Sequence, residues 1–183
     1  MLCTTPDSVL GVQNIDTIGV WMGFSWQTKV MEGSQYEISY QGQINEKSNL
    51  EDLYTEISSR PNAKNFINLH AVESINSSGV AKWIVLMGRL EEQNLIVEFT
   101  HCPIGIVQQM NMVPQFKGKY HVSSAFAPYY CAKCDKEHGA EIEIPEGATS
   151  SMVQVAESLP CKTCASTMVF DDVLDEYFSF LDP

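Results

Sequence analysis

A chain of 183 residues, 44% apolar and 19% charged, can bury a useful core and is expected to fold as one domain or two small ones rather than stay disordered. Its net charge is −12, with four basic against eleven acidic residues in 119–183, which repels phosphate backbones and argues against nucleic acid as a partner. No apolar run approaches the ~20 residues of a membrane span, and no Lys or Arg precedes Lys29 to make the basic start of a signal peptide.

Residues 1–25 mix apolar residues with Gly and keep no clean period, so they are read as an N-terminal extension packed on the main domain. Trp21, Phe24 and Trp26 offer a sharper alternative, an aromatic partner surface. "WQTKVM" and "YEISYQ" alternate as strands around Glu32-Gly33-Ser34, a hairpin. Ser48 or Asn49 then caps a helix whose first turn carries Glu51 and Asp52 and whose apolar face is Leu50, Leu53, Tyr54 and Ile57. "NFINLHAV" reads as a short buried strand. Residues 78–91 read as a well-buried helix, with Val80, Met87 and Leu90 joined by either Trp83 or Ile84. "NLIVEF" is another buried strand, and Pro103 opens a helix to about Met112 with Ile104, Val107 and Met110 inward. The order β-β-α-β-α-β-α predicts helices packed on a mixed sheet. From about residue 119, short strands surround two cysteine pairs, and "DDVLDEYFSFL" predicts an acidic amphipathic helix with Val173, Tyr177, Phe178 and Leu181 on one face.

Cys131-x-x-Cys134 and Cys161-x-x-Cys164 each turn two thiolates toward one point, and four thiolates close a tetrahedral shell. The pattern resembles a zinc ribbon, with zinc as the first choice and iron, in a rubredoxin-like site, as the second. A filled shell leaves no place for water or substrate, so the metal is expected to be structural. Cysteines spent on metal rather than disulfides suit a reducing compartment, and the protein is read as cytoplasmic. No Gly follows either pair, although ribbon knuckles often need a left-handed residue there; Asp135 tolerates that conformation better than Ala165. His138 is read as a surface residue, Cys3 as a mobile thiol and Cys102 as a buried or capping residue.

Asn76-Ser77-Ser78-Gly79 stands between a strand and a helix. Ser78 or Ser77 is expected to cap the helix, for about 1 kcal/mol, with Gly79 allowing close packing. The same unpaired N–H groups and helix dipole also favour a phosphate.

"YEISYQGQINEKSNLEDLYTEI", "INLHAVESINSSGVAKWIVLMGRLEEQNLIVEF" and "CPIGIVQQMNMVPQF" together resemble a STAS domain, the fold of bacterial anti-sigma factor antagonists. The resemblance covers about half the chain, and Ser77-Ser78-Gly79 is its most specific motif. It implies a switch in which a Ser/Thr kinase, itself the anti-sigma factor, phosphorylates Ser77, with Ser78 as the capping neighbour, and so turns partner binding off. Asn76 stands where that family commonly has Asp. The resemblance makes Glu46 and Lys47 candidates for the partner-facing surface, while from the residues alone they are read as solvated loop residues.

The expected organisation is an extension over 1–25, a STAS-like domain over 26–118 and a zinc-ribbon-like domain over 119–183. His70, His101, His121 and His138 are scattered, and Gly11, Gly19 and Gly23 make no phosphate-cradling loop, so a non-enzymatic regulatory protein is expected. The alternatives are a constitutive scaffold holding a fixed partner or a homodimer, and a sensor with a small ligand under the helix that begins at Ser78.

Overall fold

The computed structural model describes residues 15–21, by backbone, and residues 24–182. Strands β1 (Ile15–Trp21), β2 (Phe24–Val30) and β3 (Gln35–Ile44) are antiparallel neighbours. Residues 15–21 are thus the outer strand of the main sheet, not an extension lying on it. Phe24 and Trp26, offered above as a partner surface, are buried in the core. Residues 1–14, Cys3 among them, lie outside the described residues.

Helix α1 (Leu50–Ser58) starts where Asn49 accepts from the Glu51 N–H, and it buries Leu50, Leu53 and Ile57. Strands β4 (Lys64–Ile75), β5 (Ile96–Thr100) and β6 (His121–Val122) extend the sheet in parallel, each laid beside the one before. A parallel neighbour demands a crossover. Helices α1, α2 (Ser77–Glu92) and α3 (Ile104–Met112) supply the three. The strands advance across the sheet in one direction, so right-handed crossovers bring the helices to one face. β4 is longer than the expected strand and alternates: Asn65, Ile67, Leu69 and Val72 are buried, while Asn68 and His70 face the other way. That second face is polar, with Asn68 donating to Glu37 (2.8 Å) and Lys64 paired with Glu98 (2.6 Å).

Trp83 is the centre of the helix-covered face. It is fully buried, stacks on Phe116 and lies within 6.0 Å of the Tyr40 and Phe99 rings. Its indole N–H donates to the Phe116 carbonyl (3.1 Å), so the burial leaves no polar group unpaired. Of the two stripes open from sequence, the one through Trp83 is buried at Trp83, Met87 and Leu90, with Leu86 added to it and Val80 half-buried.

Strands β7 (Ser124–Cys131), β8 (Lys136–Glu143), β9 (Ser158–Pro160) and β10 (Thr167–Phe170) form a second, antiparallel sheet in the order β8-β7-β10-β9. β6 still pairs with β5, so the first sheet ends at Val122 rather than at the expected boundary of residue 118. Cys102 and Ala125 bridge the two sheets, and one continuous apolar core runs beneath both.

The expected C-terminal helix is a single turn, α4 (Leu174–Tyr177), followed by a 3-10 turn over Ser179–Leu181. Tyr177, Phe178 and Phe180 are all buried. Residues so close in sequence point in too many directions to share one helical face, so the chain wraps instead. Val173, expected inward, is 57% exposed. The Asn111 side chain donates to the Tyr177 carbonyl and accepts from the Phe180 N–H, both at 2.9 Å, which draws those groups out of a helical ladder. Tyr177 donates its hydroxyl to the Phe126 carbonyl (2.6 Å), and Asp182 accepts from the N–H and hydroxyl of Ser150. Residues 171–182 therefore strap α3 to the second sheet. No helix among the described residues is long and apolar enough to cross a membrane.

Candidate metal centre and the turn before α2

Two tight turns face one another at the end of the second sheet. One joins β7 to β8 and carries Cys131 and Cys134; the other joins β9 to β10 and carries Cys161 and Cys164. All four sulfurs lie within 4.8 Å of one another. Cys131 to Cys164 and Cys134 to Cys161 are each 3.7 Å. A tetrahedron's edge is about 1.6 times its centre-to-corner distance, so these edges match metal–sulfur bonds of about 2.3 Å. Cys131 and Cys161 are buried, and Cys134 and Cys164 half-buried. The cluster can hold a thiophilic metal ion in a closed shell.

Both knuckles take the left-handed step without glycine. Asp135 has φ +54° and Ala165 φ +56°, and their N–H groups bond back to the Cys131 carbonyl (2.9 Å) and the Cys161 carbonyl (2.8 Å). Asp135 gains a local partner, the Tyr130 hydroxyl. Ala165 has only strain to show for its conformation. Ala165→Gly is therefore expected to raise stability by about 0.5–1 kcal/mol, the relief at positive φ less the extra entropy of the unfolded chain. Denaturant midpoints of the metal-loaded proteins check this, and a lower midpoint for the variant would contradict it.

The thiols differ electrostatically. Burial opposes charge on Cys161, but the N–H groups of Cys164 and Thr163 outweigh it and bring the thiol down to about 6. The Cys164 thiol and burial hold Cys134 up to about 12. A bound cation overrides such differences, because metal-ligating thiols lose their protons. Cys102 takes no part. It is fully buried between the sheets, and burial pushes its thiol far up.

His138, read from sequence as a surface residue, is half-buried against this centre, with Nε2 3.5 Å from Cys161 Sγ. The hairpin carries it there: β8 returns along β7 with His138 opposite Tyr129, two residues before Cys131. Strand register was the signal, and spacing to the cysteines alone misses it. The other histidines stand apart. His101 Nε2 is 3.3 Å from Glu141, and its ring is 6.3 Å from His70.

At the far end of β4, Asn76, not Ser77 or Ser78, is the N-cap of α2. Its Oδ1 accepts from the Gly79 N–H (2.9 Å) and its carbonyl from the Val80 N–H (2.9 Å). A side-chain cap reaches the N–H two or three residues on, so Asn76 occupies the role and Ser77 and Ser78 become the first two helical residues. Both are exposed. Gly79 is buried against the Ile44 carbonyl, where a Cβ would lie 2.3 Å from the oxygen. Asn76 Nδ2 donates to Glu46 (3.1 Å), and Lys82 donates to the Glu46 and Ser48 carbonyls. The Glu46 backbone N–H, then Asn76, hold that carboxyl below its usual range. Glu46 is thus fixed beside the turn. The Lys47 N–H is bound by Asn45 Oδ1 (2.9 Å).

A groove of about 420 Å³ runs between α1 and α2, walled by Leu50, Ala81, Val85 and Leu86, with Lys82 and Arg89 on its rim. It lies beside α2 and opens to solvent rather than lying under the helix. Arg89 is engaged with Glu51 and lies over the Tyr54 ring. No protein-family model matches the chain, and no curated protein matches its sequence.

Proposed function

We propose that this chain is a non-enzymatic regulatory module of the STAS type, whose C-terminal part is a ribbon held by structural zinc. The observation that carries the reading is the turn at residues 76–79. Asn76 does the capping, so the hydroxyls of Ser77 and Ser78 are left free of that duty and exposed. A phosphate on Ser77 would meet unpaired N–H groups at the positive end of a 16-residue helix. The partner is then a Ser/Thr kinase of the anti-sigma type that reads the face formed by Ser77, Ser78 and the Glu46–Lys47 loop. Four thiolates around zinc suit a reducing compartment such as the cytoplasm.

A second reading, a constitutive scaffold, is favoured by Glu46. Its carboxylate is held beside Asn76 by a hydrogen bond and would repel a phosphate next door. The intact mass of protein taken from its own cells, with fragmentation across residues 70–90, separates the two. The switch predicts phosphate on Ser77 and loss of partner binding in Ser77→Asp. Unmodified serine under every growth condition, or full binding by the Asp variant, would leave the scaffold.

A further inference from the structure

We propose that His138 belongs to the metal centre as an outer ligand, donating its Nε2–H to the sulfur of Cys161. The inference rests on reading the four cysteines as a metal site. Two nitrogens converge on this one sulfur: the Thr163 N–H at 3.4 Å and His138 Nε2 at 3.5 Å. The first comes from the turn that carries Cys161. The second comes from β8, the strand that leaves the other knuckle, and ties the two knuckles together through the ligand shell. A metal-bound thiolate offers lone pairs and no proton, so the contact requires the tautomer with hydrogen on Nε2.

Two consequences follow from an added donor on one of four thiolates. The donor withdraws electron density from Cys161, which makes the shell unsymmetrical. It also spreads the negative charge of four thiolates around one divalent ion into a chain that already carries −12. Outer partners of metal ligands are typically worth ten- to hundredfold in metal affinity, because they orient the ligand and tune its basicity. His138 is not in the shell itself. Four sulfurs fill the tetrahedron, and its task is to position and polarise one of them.

The full chain loaded with cobalt(II) reads this directly through its sulfur-to-cobalt charge-transfer band. His138→Ala is expected to move the band to lower energy, because a thiolate without its donor holds its electrons less tightly. It is also expected to weaken cobalt binding roughly tenfold. His138→Gln returns an N–H donor and is expected to restore most of both. A cobalt band and affinity unchanged in His138→Ala would overturn the assignment. Should that variant not fold, the parent chain loaded with the NMR-active cadmium isotope gives an independent reading. A coupling between cadmium and the His138 Nε2 proton supports the contact, and a ring protonated on Nδ1 alone overturns it. A parent chain that takes up neither metal overturns the metal reading itself, and the role of His138 with it, so the two failures are distinguishable.

Discussion

A chelator strong enough to empty the four-thiolate centre is expected to lower the thermal midpoint by roughly 8–16 °C, with β8, β9 and β10 losing structure first. The magnitude comes from linkage. A metal present at about a thousand times its dissociation constant adds about 4 kcal/mol to the folded state. A chain of this size shifts by roughly 2–4 °C per kcal/mol. The second sheet feels the loss first because β9 and β10 are short, at three and four residues, and the turn between them is half of the centre. The first sheet keeps Trp83 and its ring of aromatics, which need no metal. Cys161→Ser and Cys134→Ser should reproduce the effect of chelation. Protons compete with the ion for thiolates, so affinity rises with pH and the metal is stripped more easily as pH falls. Calorimetry paired with metal analysis checks this. An unchanged midpoint after proven loss of metal would mean that the centre does not hold the fold.

Gly79→Ala is the second large effect, with an expected loss of about 3 kcal/mol. An added Cβ would sit 2.3 Å from the Ile44 carbonyl oxygen and 3.0 Å from the Ile75 side chain. The first obstacle is backbone at the end of β3, an inner strand of the sheet, and it cannot swing aside as a side chain can. Helix α2 must lift at its amino end, where Asn76 also binds the Gly79 N–H. The cap and the close approach are therefore lost together. Gly88, in the same helix, supplies the control. A Cβ there meets nothing within 4 Å, so Gly88→Ala should stabilise by about 0.5–1 kcal/mol through helix propensity alone. Urea midpoints of the two variants moving in opposite directions are the expected result. A Gly79→Ala protein as stable as the parent would show that α2 is free to shift.

Much of this was legible in the sequence where period or spacing carries the signal. α1 and α3 and strands β2 to β5 follow from apolar repeats, and the four cysteines follow from two C-x-x-C pairs. What was not legible depends on pairing between distant segments. β1 has no clean period, and its place comes from lying beside β2. The cap of α2 went to Asn76 because strand β4 runs to Ile75, three residues further than its apolar run. The C-terminal segment has an amphipathic pattern, but Asn111 and the Phe126 carbonyl, far away in sequence, claim its polar groups. His138 reaches Cys161 through strand register. The STAS resemblance rests on order of elements and one short motif. The parallel order β3-β4-β5 with helices between agrees with the coarser reading, an α/β fold.

The strap over residues 171–182 also sets a timetable. During synthesis Asn111 emerges 69 residues ahead of Phe180, whose N–H it accepts from. At ordinary translation rates that is a wait of roughly 3–14 s. All four cysteines emerge inside that interval, so the ion can be captured while Asn111 is still open. A newborn chain that takes up an ion in that interval is metal-loaded but unstrapped, with the pocket for Tyr177, Phe178 and Phe180 empty. That species, rather than the finished protein, is the one whose exposed apolar surface the cell has to manage.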